Sequence, residues 1–66
     1  MANTEDLYRE ARAAAATLTV EEIDGRIFLI RERLRALPPK SNQAFREGAI
    51  RIAGYEDEKS ERERRL

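Results

Sequence analysis

The sequence predicts an all-α chain: a helical hairpin made of its second and third helices, with a short N-terminal helix docked on it in three-helix-bundle fashion. Three observations carry this. Apolar residues recur three and four apart in three separate segments. Thr19 and Glu22 stand at capping-box spacing. Leu37-Pro38-Pro39 then stops a helix, because Pro cannot donate inside one and pushes the residue before it out of the α region.

The first helix is expected over about residues 4–17, with Asn3 or Thr4 as N-cap and acids in its first turn. Leu7, Ala11, Ala14 and Leu18 form its stripe. The run Ala13 to Ala16 allows a neighbour to come close, yet buries little area at about 25 cal/mol per Å². Such a helix depends on something larger to dock against.

The second helix is expected over about 20–37. Leu18 and Ile23 occupy the N′ and N4 positions of a hydrophobic staple around the Thr19 cap. Val20, Ile23, Ile27, Ile30, Leu34 and Leu37 follow as a coiled-coil-type seam. At 100° per residue, Phe28 falls about 100° and Leu29 about 200° away from Ile27, so this helix is apolar on two sides. A helix of that kind is sandwiched.

The short turn "PPKSN" makes the third helix, about 42–59 with Ser41 as cap, fold back antiparallel. Ala44, Phe45, Gly48, Ala49, Ile52, Ala53 and Tyr55 project to one face, with Ile50 on the polar side. Gly48 reads as a close-packing position and Gly54 as a bend before the tail. Residues 60–66 read as a charged tail, with Glu58 to Arg62 and Glu61 to Arg65 as i,i+4 pairs and Leu66 as its one apolar residue. Fraying is expected there.

Sixty-six residues make one domain, 1–66, and a chain of this size buries only about 60% of its unfolded surface. With no Cys and no His, disulfides and the usual zinc ligands are unavailable for reinforcement, which leaves association with a second copy or a partner. Thirteen basic and thirteen acidic residues cancel, so no overall field draws the chain to nucleic acid or an anionic membrane. Its longest apolar run, Ile27 to Ile30, is far short of the roughly 20 residues that span a bilayer. The start "MANTEDLYRE" is not that of a secretory signal, and the expected address is the cytoplasm.

Nothing in this composition supplies an activated nucleophile or a general base near neutrality: Ser41 reads as a cap and Ser60 lies in the charged tail. Gly25, Gly48 and Gly54 form no phosphate-cradling motif. Glu56-Asp57-Glu58 is the one candidate oxygen-ligand run, but consecutive helical residues diverge by 100° and the EF-hand spacing is missing. No catalysis, metal or cofactor is therefore expected.

What the sequence points to is binding. Phe28, Leu29 and Ile50 are apolar residues without an evident place inside one chain, and with Arg31, Arg35 and Tyr55 they make the candidate protein interface. Arg26 and Arg33 flank one edge of the second helix's seam and Arg31 and Arg35 the other, where charges beside a helix interface sit. The expected function is that of an inhibitor, adaptor or co-chaperone acting on a protein partner or on a second copy as a dimer, the size being that of short proteins phages direct at host machinery. The alternative is a nucleic-acid accessory protein working through its arginine edges. A small-ligand site between helices of an oligomer, walled by Tyr8, Tyr55 and arginines, is a third possibility.

The ten residues "ALPPKSNQAF" resemble the opening of the DNA-reading domain of alternative sigma factors, in which a Leu-Pro-rich turn introduces a helix with Ala-Phe near its start. That resemblance implies a following helix-turn-helix. Here "GYEDEKSERERRL" stands in its place, and no functional residue transfers.

Overall fold

The computed structural model describes residues 3–65 and contains three helices, α1 (Thr4–Ala16), α2 (Val20–Arg35) and α3 (Asn42–Arg65). Their starts follow from local chemistry. Asn3 Oδ1 accepts from the Asp6 amide at 2.8 Å, satisfying one of the orphan donors at the start of α1. At α2 the Glu22 amide donates to Thr19 Oγ1 at 3.1 Å and the Thr19 amide donates to Glu22 Oε1 at 2.9 Å, completing the capping box. The Thr19 amide, and then its side chain, hold the Glu22 carboxyl below its ordinary pKa. Past the two prolines the Ser41 amide donates to the Pro38 carbonyl, and α3 begins at the next residue.

The long α3 is the common neighbour of the other two helices. Tyr8 meets Asp57 and Arg12 meets Glu61, both 49 residues on, so α1 and α3 run parallel. Asp24 meets Lys59, and Leu34 lies against Gly48, so α2 and α3 run antiparallel as the hairpin requires. α1 also reaches α2 where the two join: Ala15, Ile23 and Ile27 form the buried centre, with Leu18, Ile52 and Tyr55 half-buried around it. At 24 residues, α3 is about 36 Å long and accounts for most of the molecule's 42 Å length.

Two glycines set how close the helices come. A Cβ at Gly48 would stand 2.6 Å from Leu34 Cδ2, the close packing expected of it. A Cβ at Gly54 would stand 2.6 Å from the Ala11 Cβ and 3.2 Å from the Tyr8 carbonyl oxygen. Gly54 is thus a crossing point for α1, not a bend; α3 runs through it unbroken.

Several sequence expectations change accordingly. In α1 the buried line is Leu7, Ala11 and Ala15, while Ala14 is exposed. In α3, Ala44, Phe45, Ala49 and Ala53 are exposed. The covered arc instead follows Gly48 and Ile52 towards α2 and Gly54 and Glu58 towards α1, because bare backbone admits a neighbour more closely than a row of methyl groups does. Ile50, placed by its spacing on the polar side, is half-buried and borders a shallow cleft with Leu7.

The segment expected to be a solvated tail is instead part of α3, which continues to Arg65, and it is held by polar contacts. Glu58 is only 8% exposed and accepts from Arg62 Nε at 3.0 Å, with Arg12 Nη2 at 3.7 Å. Arg12 also pairs with Glu61, which pairs with Arg65 one turn on. Arg62 Nη2 donates to the Ala15 carbonyl at 2.7 Å. α1 has no basic residue in its own last turn, so α3 supplies the cation that the carbonyl end of a helix favours. Arg12 and then Arg65 hold the Glu61 carboxyl below its ordinary pKa, and donation to Asp57 raises that of the Tyr8 hydroxyl. Leu66 lies outside the described residues. Because α3 has no turn after "NQAF", the resemblance to a DNA-reading domain ends before any helix-turn-helix.

Candidate functional site

Apart from Phe45 of α3, the large apolar side chains that remain exposed among the described residues belong to α2. Phe28 is 61% and Leu29 57% exposed, and Val20 is exposed a few turns earlier on the helix. Between them sits Gly25, whose missing Cβ would meet nothing within 4 Å. Glu22 and Arg26 border this shallow surface with opposite charges.

The six interface residues read from the sequence do not gather here. Only Phe28 and Leu29 do. Arg31 is committed to Glu56 of α3 at 2.9 Å and Arg35 to Glu32 of its own helix at 3.4 Å. Tyr55 lies half-buried against the core, and Ile50 has its place near Leu7. The second apolar side of α2 is therefore a two-residue ridge around a glycine.

On the opposite flank of Leu29 lies a cleft of about 320 Å³ between α1 and α2, with α3 contributing to its lining. Arg26 and Arg33 reach it from α2, and Arg51 and Tyr55 from α3. The two arginine edges of α2 thus have different fates. Arg31 and Arg35 are in ion pairs, whereas Arg26, Arg33 and Arg51 have no ion-pair or side-chain hydrogen-bond partner among the described residues. Arg51 is not among the six interface residues read from the sequence. The signal that marks it is its i,i+4 relation to Tyr55, which puts both on the same side of α3.

Consecutive acids in α3 point to different neighbours: Glu56 to Arg31, Asp57 to Tyr8 and Glu58 to Arg12 and Arg62. They tie α3 to both other helices. Lys59 adds a further tie through Asp24 at 2.8 Å, which also raises its pKa. Among the described residues, no three His, Cys, Asp or Glu side chains gather as metal ligands would, and no helix is long and apolar enough to cross a membrane.

No family model matches the chain, and no curated protein or solved structure is detectably similar to it.

Proposed function

We propose that this chain is a non-enzymatic interaction module of the cytoplasm, an inhibitor, adaptor or co-chaperone that offers the outer face of α2 to a helix of a partner protein. The observation that carries this reading is the exposed pair Phe28 and Leu29 standing beside bare Gly25. A glycine within an exposed helix destabilises it by about 1 kcal/mol relative to alanine, and nothing inside this chain approaches Gly25 to offset that. A second helix crossing there gains close backbone approach, with two large apolar side chains to bury.

The test compares the chain with a Phe28→Asp, Leu29→Asp variant, by affinity capture from the native lysate with and without nuclease and by sedimentation of each protein alone. We expect one protein to be retained with or without nuclease and to lose about tenfold or more in affinity on the double substitution, a change of about 1.4 kcal/mol, with helix content unchanged. Concentration-dependent dimerisation abolished by the substitution makes the occupant a second copy. Unfolding of the variant assigns both residues to the core and ends the proposal. The unpaired Arg26 and Arg33 support a second reading, a nucleic-acid accessory protein, whose mark is retention that disappears with nuclease and falls steeply with salt.

A further inference from the structure

We infer that the cleft between α1 and α2 binds a small organic phosphate: a phosphate group held by Arg26, Arg33 and Arg51, with an apolar or aromatic body against the cleft wall. This inference does not rest on the partner surface proposed for Phe28 and Leu29, although Arg26 and Leu29 border both.

Three features support it. The first is convergence: arginines from two helices line one cleft. The second is that they are uncommitted. Seven other basic residues of this chain are in ion pairs, including Arg31 and Arg35 on the same helix; Arg26, Arg33 and Arg51, like Lys40, Arg46 and Arg64, have no such partner among the described residues, and of these six only the first three line the cleft. Glu22, one turn before Arg26, is engaged in the Thr19 capping box. Like charges lining one cleft repel, and an anion bound among them lowers that repulsion.

The third feature is the match of charge and shape. Glu10 is the one acid lining the cleft, so three arginines leave it with a net charge of about +2, the complement of a phosphate monoester near neutral pH. Guanidinium groups bind phosphate in bidentate fashion, and the half-buried Tyr55 shares the same lining. The rest of the wall is apolar, with Leu7, Ala11 and Ala14 from α1 facing Leu29 and Ile30 from α2. At about 320 Å³ the cleft is at the small end of ligand sites and holds more than a bare inorganic anion.

The experiment is an NMR titration of the full chain with phenyl phosphate, inorganic phosphate and benzoate, following arginine Nε–Hε and backbone amide signals. Phenyl phosphate is expected to give saturable shifts at Arg26, Arg33, Arg51 and Tyr55. Inorganic phosphate, which lacks the apolar body, and benzoate, which lacks the second charge, are each expected to bind about fivefold or more weakly. Combining Arg26→Gln, Arg33→Gln and Arg51→Gln is expected to weaken phenyl phosphate about tenfold or more with unchanged circular dichroism. Each single substitution is titrated as well, so that the assignment stands even if the triple variant unfolds. Equal affinity for all three anions, shifts outside the cleft, or unchanged binding to the variants overturns the proposal. Much tighter binding of a short single-stranded oligonucleotide, lost in the same variants, overturns it in favour of nucleic acid.

Discussion

α1 and α2 invert the usual relation between apolar content and burial. α1 carries alanines and little else that is apolar, yet Leu7, Ala11 and Ala15 are three of the five buried apolar residues of the described chain. α2 carries the longest apolar run but contributes only Ile23 and Ile27, and leaves Phe28 and Leu29 outside. The difference lies in what α3 presents. Towards α1 it presents Gly54 and then a ladder of charged side chains; towards α2 it offers Gly48 and two exposed ion pairs. A small-residue seam locked by partly buried polar contacts can hold a helix that would bury too little area by itself.

The comparison is broken most severely where the two helices share a residue. Ile23 is fully buried between them, and Ile23→Ala should cost about 2–4 kcal/mol, read as a lower urea midpoint at unchanged slope. A loss below about 1 kcal/mol would mean that α1 and α2 do not depend on a common centre.

The glycines sharpen the contrast by taking one substitution in two places. Gly54→Ala puts a methyl into the Ala11 Cβ and the Tyr8 carbonyl, so it should destabilise by about 1–3 kcal/mol although alanine is the better helix former. Gly25→Ala meets no atom and should stabilise the free chain by about 0.5–1 kcal/mol. Thermal unfolding of both variants checks the opposite signs. If Gly25→Ala also weakens partner capture, the crossing proposed on α2 is located at that residue.

The smallest effect expected is that of acid. Glu61 and Glu22 both have pKa values lowered by folding, so their contribution is complete above the ordinary carboxylate value of 4.5 and is lost as pH falls through their depressed values. The melting temperature should therefore drop between about pH 5 and pH 3. Glu61→Gln should flatten that drop through the α1–α3 contact and Glu22→Gln through the α2 cap; equal profiles in all three proteins would remove both carboxylates from the stabilising set. Tyr8 and Lys59 have raised values, so what they add is present at neutral pH and is lost only as pH rises through the alkaline range.

Local signals were legible in the sequence to within a residue or two. Asn3, the Thr19 and Glu22 box and the proline stop are short-range patterns, and each has its predicted partner or position. The α2 seam was legible because Ile23 and Ile27 are large and regularly spaced. Longer-range relations were not. A projection that counts methyl groups placed Ala44, Ala49 and Ala53 inward, and a run of nine charges in the last eleven residues resembled a solvated tail. Of the candidate interface, Phe28 and Leu29 were legible from their angle on α2, whereas the partners of Arg31, Tyr55 and Ile50 come from α3 or α1 packing. Arg51 was missed because its significance depends on Arg26 and Arg33, which sit on another helix.

The sequence by itself determined three helices, the N-caps of the first two, the antiparallel return after Pro39 and the two-sided character of α2, since each of these is decided within a few residues of backbone and side chain. Tertiary structure alone decided that α1 runs parallel to α3, that Gly54 is a crossing point, and that the charged end of α3 is a clamp. The reason is that a charge or a glycine has no fixed meaning along a chain. A carboxylate such as Glu58 reads as solvated until another helix brings Arg12 beside it, and a glycine reads as a bend until another backbone fills the space its side chain would have taken.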